Sequence, residues 1–128
     1  MVGTVARRLY IVDDDDDFRC FVKNAAERRD WLVVECRNGS EFIEHCTHDA
    51  GNGKALLDIL MPEMDGFETV LRLADCSAKI DVSLITGGAP TYIMVADEFR
   101  KSGSLNVSNV FSKPISLAEI DQMLASDN

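Results

Sequence analysis

Residues 9–14 have the sequence LYIVDD, and three further aspartates follow at positions 15–17. The four apolar residues stand together without polar alternation, which is typical of a strand buried on both faces. Strands of this kind occur in parallel sheets that carry helices on both sides. The stretch therefore predicts a parallel α/β domain whose first strand ends in a group of carboxylates.

The rest of the chain alternates between short apolar runs and amphipathic segments. Apolar runs predict further strands at 31–34, 55–57, 82–85 and 107–112, and helical spacing of apolar residues predicts helices at 16–29, 40–48, 67–74, 90–101 and 116–125. Short connections between alternating strands and helices favour a doubly wound, five-stranded parallel sheet with five flanking helices.

Several local signals refine the helices. Ser116 and Glu119 have the spacing of a capping box at the start of the last helix. The aspartates at 15–17 are expected in the first turn of the first helix, where the helix dipole favours negative charge. Helical periodicity predicts inward-facing side chains in the first and third helices; these are Phe18, Phe21, Val22, Ala25, Ala26, Phe67, Val70, Leu71 and Ala74.

Composition sets the broad class. The chain has 128 residues, 46% of them hydrophobic and 27% charged, with a net charge of −9. These values predict one globular domain over residues 1–128, with an ordered core at about 7–126. The acidic balance argues against direct binding of nucleic acid or of an anionic membrane surface. The four cysteines form no Cys-x-x-Cys pair, so we expect free thiols and a cytoplasmic location.

Chemically useful side chains stand where the predicted strands end. These are Asp13 and Asp14 after the first strand, Asp58 after the third, Thr86 after the fourth and Lys113 after the fifth. In doubly wound folds the ligand site lies beyond the carboxyl ends of the strands. Carboxylates gathered there repel one another unless a cation compensates them, and oxygen ligands suit Mg²⁺. The second strand ends near Glu35, for which the pattern indicates no role.

A carboxylate beside Mg²⁺ and a lysine can act as a nucleophile toward a phosphoryl donor. Asp58 would then carry an acyl phosphate, a hydrolysable mark suited to a transient signal. The metal and Lys113 would neutralise charge on the phosphoryl oxygens, and the Thr86 hydroxyl would contact another of them.

Four pieces of sequence carry a family resemblance. They are YIVDD at 10–14, LDILMP at 57–62 with MDG at 64–66, LITG at 84–87 and SKP at 112–114. Their order and spacing resemble those of a receiver domain of a two-component response regulator, and they span nearly the whole chain. The resemblance implies a flavodoxin/CheY-like fold with strand order 2-1-3-4-5 and a cis peptide bond between Lys113 and Pro114.

The resemblance also implies roles for individual residues. Asp58 matches the phosphoryl acceptor, and Thr86 and Lys113 match the residues that contact the phosphoryl group. Asp14 matches the direct Mg²⁺ ligand, Asp13 matches a ligand that acts largely through water, and the Leu60 carbonyl matches the third protein ligand. The cofactor implied is Mg²⁺.

The partners implied are proteins. The donor is a sensor histidine kinase or a phosphotransfer protein, and the chain assists only its own phosphorylation and dephosphorylation. A downstream protein is expected at the face of the fourth helix, fifth strand and fifth helix, with Tyr92, Met94 and Phe99 as candidate contacts. A phosphorylation-dependent dimer is a further expectation.

Two positions depart from the family pattern. The aromatic residue common three positions before the lysine is replaced by Val110, and Phe111 follows one residue late. Positions that help to orient a hydrolytic water in relatives hold Leu60 and Gly88. We therefore predict slow intrinsic dephosphorylation.

Two other function classes stay open at this point. A pseudo-receiver would act only as a protein-binding module, and failure to bind Mg²⁺ or to form an acyl phosphate would favour it. A phosphatase of the haloacid dehalogenase type also places Asp-x-Asp after its first strand, which residues 13–15 permit. Turnover of a small phosphate ester would favour that class.

Overall fold

The computed structural model describes residues 7–48, 52–103 and 105–125, in which five strands alternate with five helices. The ends of the predicted domain, 1–6 and 126–128, lie outside the described residues. The elements are β1 Arg8–Val12, α1 Asp16–Glu27, β2 Leu32–Cys36, α2 Gly39–His48, β3 Asn52–Asp58, α3 Gly66–Leu73, β4 Lys79–Thr86, α4 Pro90–Ser102, β5 Val107–Ser112 and α5 Leu117–Ala125. All strand pairs are parallel, in the order β2-β1-β3-β4-β5. The predicted fold class and strand order are confirmed.

The sheet separates two apolar cores. Leu9 and Ile11 of β1 face a core shared with α1 and α5, here called the two-helix core. Tyr10 and Val12 face the opposite core, shared with α2, α3 and α4 and here called the three-helix core. Both sets of β1 side chains are buried, which explains why the strand is an unbroken apolar run.

Two strands begin three residues earlier than the sequence pattern predicted. β3 begins at Asn52 and β4 at Lys79, because polar residues at their starts pair across the sheet. Lys54 is buried, and its Nζ lies 3.2 Å from the Asp81 carboxylate on β4. Charged residues such as Lys54 and Asp81 are typical of loops when the sequence is taken alone. Their ion pair across β3 and β4 is what accommodates them in the sheet.

Three predicted inward residues are exposed. Phe21 is 43% exposed and Leu71 is 53% exposed, and Ala74, which follows the last residue of α3, is exposed as well. The buried stripe of α1 includes Arg19, and that of α3 includes Thr69 and Leu73. Each helix presents only a narrow face to the sheet, so residues at the border of the predicted apolar stripe are exposed, whereas those at its centre are buried as predicted.

The edge strand β5 contains an irregularity that decides which way its side chains face. Val82 pairs with Val107, but Ser83 pairs with Asn109, so the intervening serine is an extra residue in the ladder. Val107 and Val110 therefore both face the three-helix core, whereas Phe111 is buried in the two-helix core. No aromatic ring occupies the position that the family pattern usually fills.

Both predicted helix-start signals are present, one with a correction. Ser116 and Glu119 exchange two hydrogen bonds of 3.0 Å, which confirms the capping box. Asp15 is the N-cap of α1 rather than a first-turn residue, and its carboxylate accepts from the N–H groups of residues 17 and 18.

All four cysteines have free thiols. Among the helices of the described residues, none has the length and apolar character needed to cross a membrane.

Candidate functional site

The carboxyl ends of four strands bring the predicted site residues together. Asp13 follows β1 and is 1% exposed, and Asp58 closes β3 and is 5% exposed. Asp14 is exposed at the rim. One carboxylate oxygen from each of these three residues lies within 4.8 Å of the other two. Two carboxylates are thus held out of water at close range, with a third at the solvent boundary.

Backbone groups hold the two buried carboxylates in place. Asp13 Oδ1 accepts a hydrogen bond of 2.9 Å from the N–H of Asp15, and Asp58 Oδ1 accepts one of 3.2 Å from the N–H of Leu60. The turn after β3 is tight, because a Cβ at Gly66 would lie 2.7 Å from the Asp58 carbonyl oxygen. Position 66 therefore requires glycine, because its backbone lies directly against the main chain of Asp58.

Lys113 supplies the positive charge. Its Nζ lies 2.8 Å from Asp13 Oδ2 and 3.4 Å from Asp58 Oδ2, and 4.5 Å from the centre of the Phe18 ring. The main-chain N–H of Lys113 donates to the carbonyl of Thr86, and the bond to Pro114 is cis as the resemblance implied. One ammonium group therefore bridges the two buried carboxylates.

The charges of the site perturb one another. Burial, together with the neighbouring Asp13 carboxylate, raises the pKa of Asp58 to about 6, although Lys113 and the Leu60 N–H oppose the rise. Burial alone would lower the pKa of Lys113, but its contacts with Asp13 and Asp58 outweigh that effect and raise it. One lysine compensates the buried carboxylates only in part, so the site favours a further cation.

Thr86 ends β4, which lies between β3 and β5 in the sheet. It is 1% exposed, and its Oγ1 accepts a hydrogen bond of 3.0 Å from the N–H of Gly88. A Cβ at Gly88 would lie 2.6 Å from Leu60 Cδ1 and 3.1 Å from Tyr92 Cδ2. The loop after β4 therefore packs closely against the side chains of Leu60 and Tyr92. Leu60 lies only two residues after Asp58, so this loop adjoins the turn that follows β3.

Sequence reasoning missed Arg19 and the role of Glu35. The Arg19 guanidinium is buried, donates a hydrogen bond of 2.6 Å to the Asp13 carbonyl, and pairs with Glu35 at the end of β2 and with Asp16. This network ties the second strand to the backbone of an acidic site residue. Arg19 lies three residues before Val22 and seven before Ala26, so helical spacing places it on the buried stripe of α1. This spacing was the one signal in the sequence that could have predicted its burial.

The donor set fits Mg²⁺. Carboxylate oxygens are the ligands that hard divalent cations prefer, and Mg²⁺ keeps several waters, which the exposed side of Asp14 leaves room for. Asp13, Asp14 and Asp58 are the described residues whose side chains would hold the ion. The arrangement therefore combines a metal site, a buried carboxylate and an ammonium group at one sheet edge.

The raised pKa of Asp58 leads to a stability prediction. A folded pKa of about 6, against about 4 for an ordinary aspartate, means that the folded state holds this proton more tightly. The resulting stabilisation is present below about pH 4 and is lost as the pH rises through about 6. At pH 8 in the presence of a chelator, Asp58→Asn is expected to raise the free energy of unfolding by about 1–3 kcal/mol. Urea denaturation checks this, with the exposed Asp75→Asn as the control, and a less stable Asp58→Asn protein would contradict it.

Comparisons with known proteins agree with the fold. Residues 9–125 match the family model described as the response regulator receiver domain. The response regulator receiver protein CpdR of Brucella abortus is 30% identical over 122 residues, covering 92% of this chain and 97% of CpdR. The transcriptional regulatory protein SrrA of Staphylococcus aureus is 30% identical over 87 residues, which cover 68% of this chain but only 36% of SrrA.

Solved structures give the same result. The crystal structure of a response regulator from Colwellia psychrerythraea matches with a TM-score of 0.77 and 27% identity, covering 94% of this chain and 96% of that one. The family model spans all four strand ends that build the acidic site. The chain therefore belongs to the response regulator receiver domain family.

Proposed function

We propose that this chain accepts a phosphoryl group on Asp58 in a Mg²⁺-dependent reaction and thereby switches a protein-binding surface. The observation that carries the proposal is the position of the Asp58 carboxylate, which is 5% exposed and 3.4 Å from the Lys113 ammonium, in a group of carboxylates that calls for a cation. The phosphoryl donor is a phosphohistidine of a sensor histidine kinase or a phosphotransfer protein.

Each residue has a distinct task in this proposal. A carboxylate oxygen of Asp58 attacks phosphorus, the phosphorus–nitrogen bond of the donor breaks, and the histidine leaves with its electron pair and takes up a proton. Lys113 leaves its contact with Asp58 Oδ2 for a phosphoryl oxygen, and the Thr86 hydroxyl turns from Gly88 toward another. When bound by Asp13, Asp14, Asp58 and the Leu60 carbonyl, Mg²⁺ supplies neutralising charge for the phosphoryl oxygens.

The complete set of residues supports this function over the two alternatives. A pseudo-receiver is expected to lack an acceptor, an acidic partner or the lysine, and here Lys113 contacts both Asp58 and Asp13. A phosphatase of the haloacid dehalogenase type would need the Asp15 carboxylate in the site, and this carboxylate instead caps α1. We further propose one domain over 1–128, a cytoplasmic location and no turnover of an external substrate.

The proposed output surface is the face of α4, β5 and α5. Met94 is 68% exposed, Val95 40% and Tyr92 38% on α4, and Leu117 is 52% exposed at the start of α5. Phe99 instead packs on Phe67, with ring centres 4.9 Å apart, so it contributes to the fold rather than to a docking surface. The face adjoins the loop that begins at Thr86, which would sense the phosphoryl group; a downstream protein or a second copy of the chain is the partner proposed.

Intact mass after incubation with acetyl phosphate tests the function. We expect addition of one phosphoryl group that requires Mg²⁺, and reduction of the acyl phosphate with borohydride should convert Asp58 to homoserine in the peptide map. If neither acetyl phosphate nor a phosphohistidine donor protein labels the chain, the pseudo-receiver is favoured. Repeated hydrolysis of a small phosphate ester would instead favour the phosphatase.

Leu60 leads to a prediction about the lifetime of the acyl phosphate. This side chain is 42% exposed beside Gly88 and offers no polar group to orient a hydrolytic water. Leu60→Asn is expected to speed loss of the phosphoryl group by at least about fivefold, equivalent to about 1 kcal/mol in barrier height. The matched control is Leu71→Asn, which replaces an exposed leucine on α3. Equal decay rates in the wild type and both variants would contradict the prediction.

A further inference from the structure

A cavity lies at the end of the sheet opposite the acidic site. This cavity, of about 650 Å³, opens between the amino ends of β3 and β4, the start of β5 and the carboxyl end of α4. Strand β3 runs from this cavity to Asp58, and β4 runs from it to Thr86. The cavity is therefore separated from the acidic site by the length of the strands, and nothing in the proposed phosphoryl chemistry uses it.

The cavity is basic in an acidic protein. Five cationic side chains line it, and the single acidic side chain among its described lining residues is Asp81. The whole chain has only 13 Lys and Arg residues and a net charge of −9. The cationic lining residues are Arg7, Arg8, Lys54, Lys79 and Arg100. A cluster of this kind is unexpected on a surface where acidic residues are in excess, and it favours an anionic ligand.

Part of this positive charge is already compensated, and part is not. Lys54 pairs with Asp81 at 3.2 Å, and Arg100 pairs with Asp97 at 2.7 Å. Within the residues that the structure describes, Lys79 and Arg7 have no carboxylate partner. Lys79 is exposed at the start of β4, and the Arg7 guanidinium lies 4.8 Å from the centre of the Trp31 ring. These two cations are available to an incoming anion.

The walls combine apolar and polar groups in the manner of a small-molecule site. Buried side chains form the floor, namely Trp31, Ile80, Val107 and Leu124. The amide side chains of Asn52 and Asn106 stand on the rim and offer donors and acceptors. Sites for ligands of drug or nucleotide size have volumes of roughly 300–1,000 Å³, mostly apolar walls and a few polar groups. A concave pocket of this size suits a compact ligand better than an extended acidic peptide.

We propose that this cavity binds a small organic phosphate of nucleotide size, with its ring system on the apolar floor and its phosphate beside Lys79 and Arg7. Lysine and arginine are the common phosphate-binding side chains, and spreading them around an apolar floor selects ligands that have both an anionic and a flat apolar part. The proposal does not depend on phosphoryl transfer to Asp58.

Amide chemical-shift mapping with AMP and GMP tests the proposal. A chelator is present throughout, so that no metal held by the acidic site recruits the phosphate. We expect shifts at the Trp31 indole and at the amino ends of β3 and β4. Adenosine lacks the phosphate and inorganic phosphate lacks the ring system, so these two probes test each part of the ligand separately. Each is expected to bind at least about tenfold more weakly than AMP or GMP.

Charge variants complete the test. Lys79→Gln is expected to weaken AMP or GMP binding by about tenfold, and Lys79→Arg to retain most of it. Arg72→Gln removes one positive charge from exposed α3 and is expected to change neither binding nor fold. Thermal unfolding confirms that each variant is folded. Absence of shifts with millimolar nucleotide, shifts confined to the carboxyl edge of the sheet, or equal affinity for adenosine or inorganic phosphate would overturn the proposal.

Discussion

Replacing Asp58 with asparagine is expected to abolish phosphoryl incorporation from acetyl phosphate. An amide oxygen is a far weaker nucleophile than a carboxylate, and no other described carboxylate combines burial with contact to Lys113 except Asp13. The Asp13 carboxylate is already engaged by the Asp15 N–H and, at 2.8 Å, by Lys113. Intact mass spectrometry in the presence of Mg²⁺ measures the result.

The control for this prediction is Asp75→Asn, which removes an exposed carboxylate away from the site. That variant should be labelled at the rate of the wild type. Labelling of Asp58→Asn at a comparable rate, or borohydride mapping to another aspartate in the wild type, would show that the acceptor has been assigned wrongly.

Replacing Lys113 with methionine is expected to destabilise the protein strongly at pH 8 in the presence of a chelator. The change would leave the buried carboxylates of Asp13 and Asp58 without their ammonium partner, and breaking a buried pair in this way costs about 3–5 kcal/mol. At pH 5 the cost should shrink, because the pKa of Asp58 is raised to about 6 and its carboxyl would be mostly protonated. Urea denaturation at the two pH values measures both effects.

Two further variants separate this electrostatic cause from simple loss of packing. In the double variant Lys113→Met with Asp58→Asn, one of the two buried charges is gone, so we expect recovery of at least about 1 kcal/mol beyond additivity. Lys101→Met, which removes an exposed lysine from α4, should be close to neutral. A pH-independent loss without recovery in the double variant would show that Lys113 acts through its alkyl chain instead.

Parts of this protein follow from the sequence because local patterns carry them. The apolar run at 9–12 indicates a strand buried on both faces, and the alternation of such runs with helical spacing implies a parallel sheet. Parallel strands share one carboxyl edge, so the residues at their ends, among them Asp13, Asp58 and Lys113, are predicted neighbours before any coordinates are known. Capping by Ser116 and Glu119 is also local, and it was predicted for the same reason.

Other parts depend on contacts between residues distant in sequence. Lys54 and Asp81 become strand residues only by pairing across β3 and β4, and Arg19 is buried only because Asp13, Asp16 and Glu35 surround its guanidinium.

The directions of side chains likewise needed the tertiary structure. The extra residue in β5 directs Val110 toward the three-helix core and Phe111 toward the two-helix core. No local sequence pattern predicts this extra residue. The basic cavity is assembled from strand starts and a helix end that lie far apart in the chain. Local periodicity determines which residues form strands and helices and where those elements end, whereas partners, register and cavities arise only when separate elements pack.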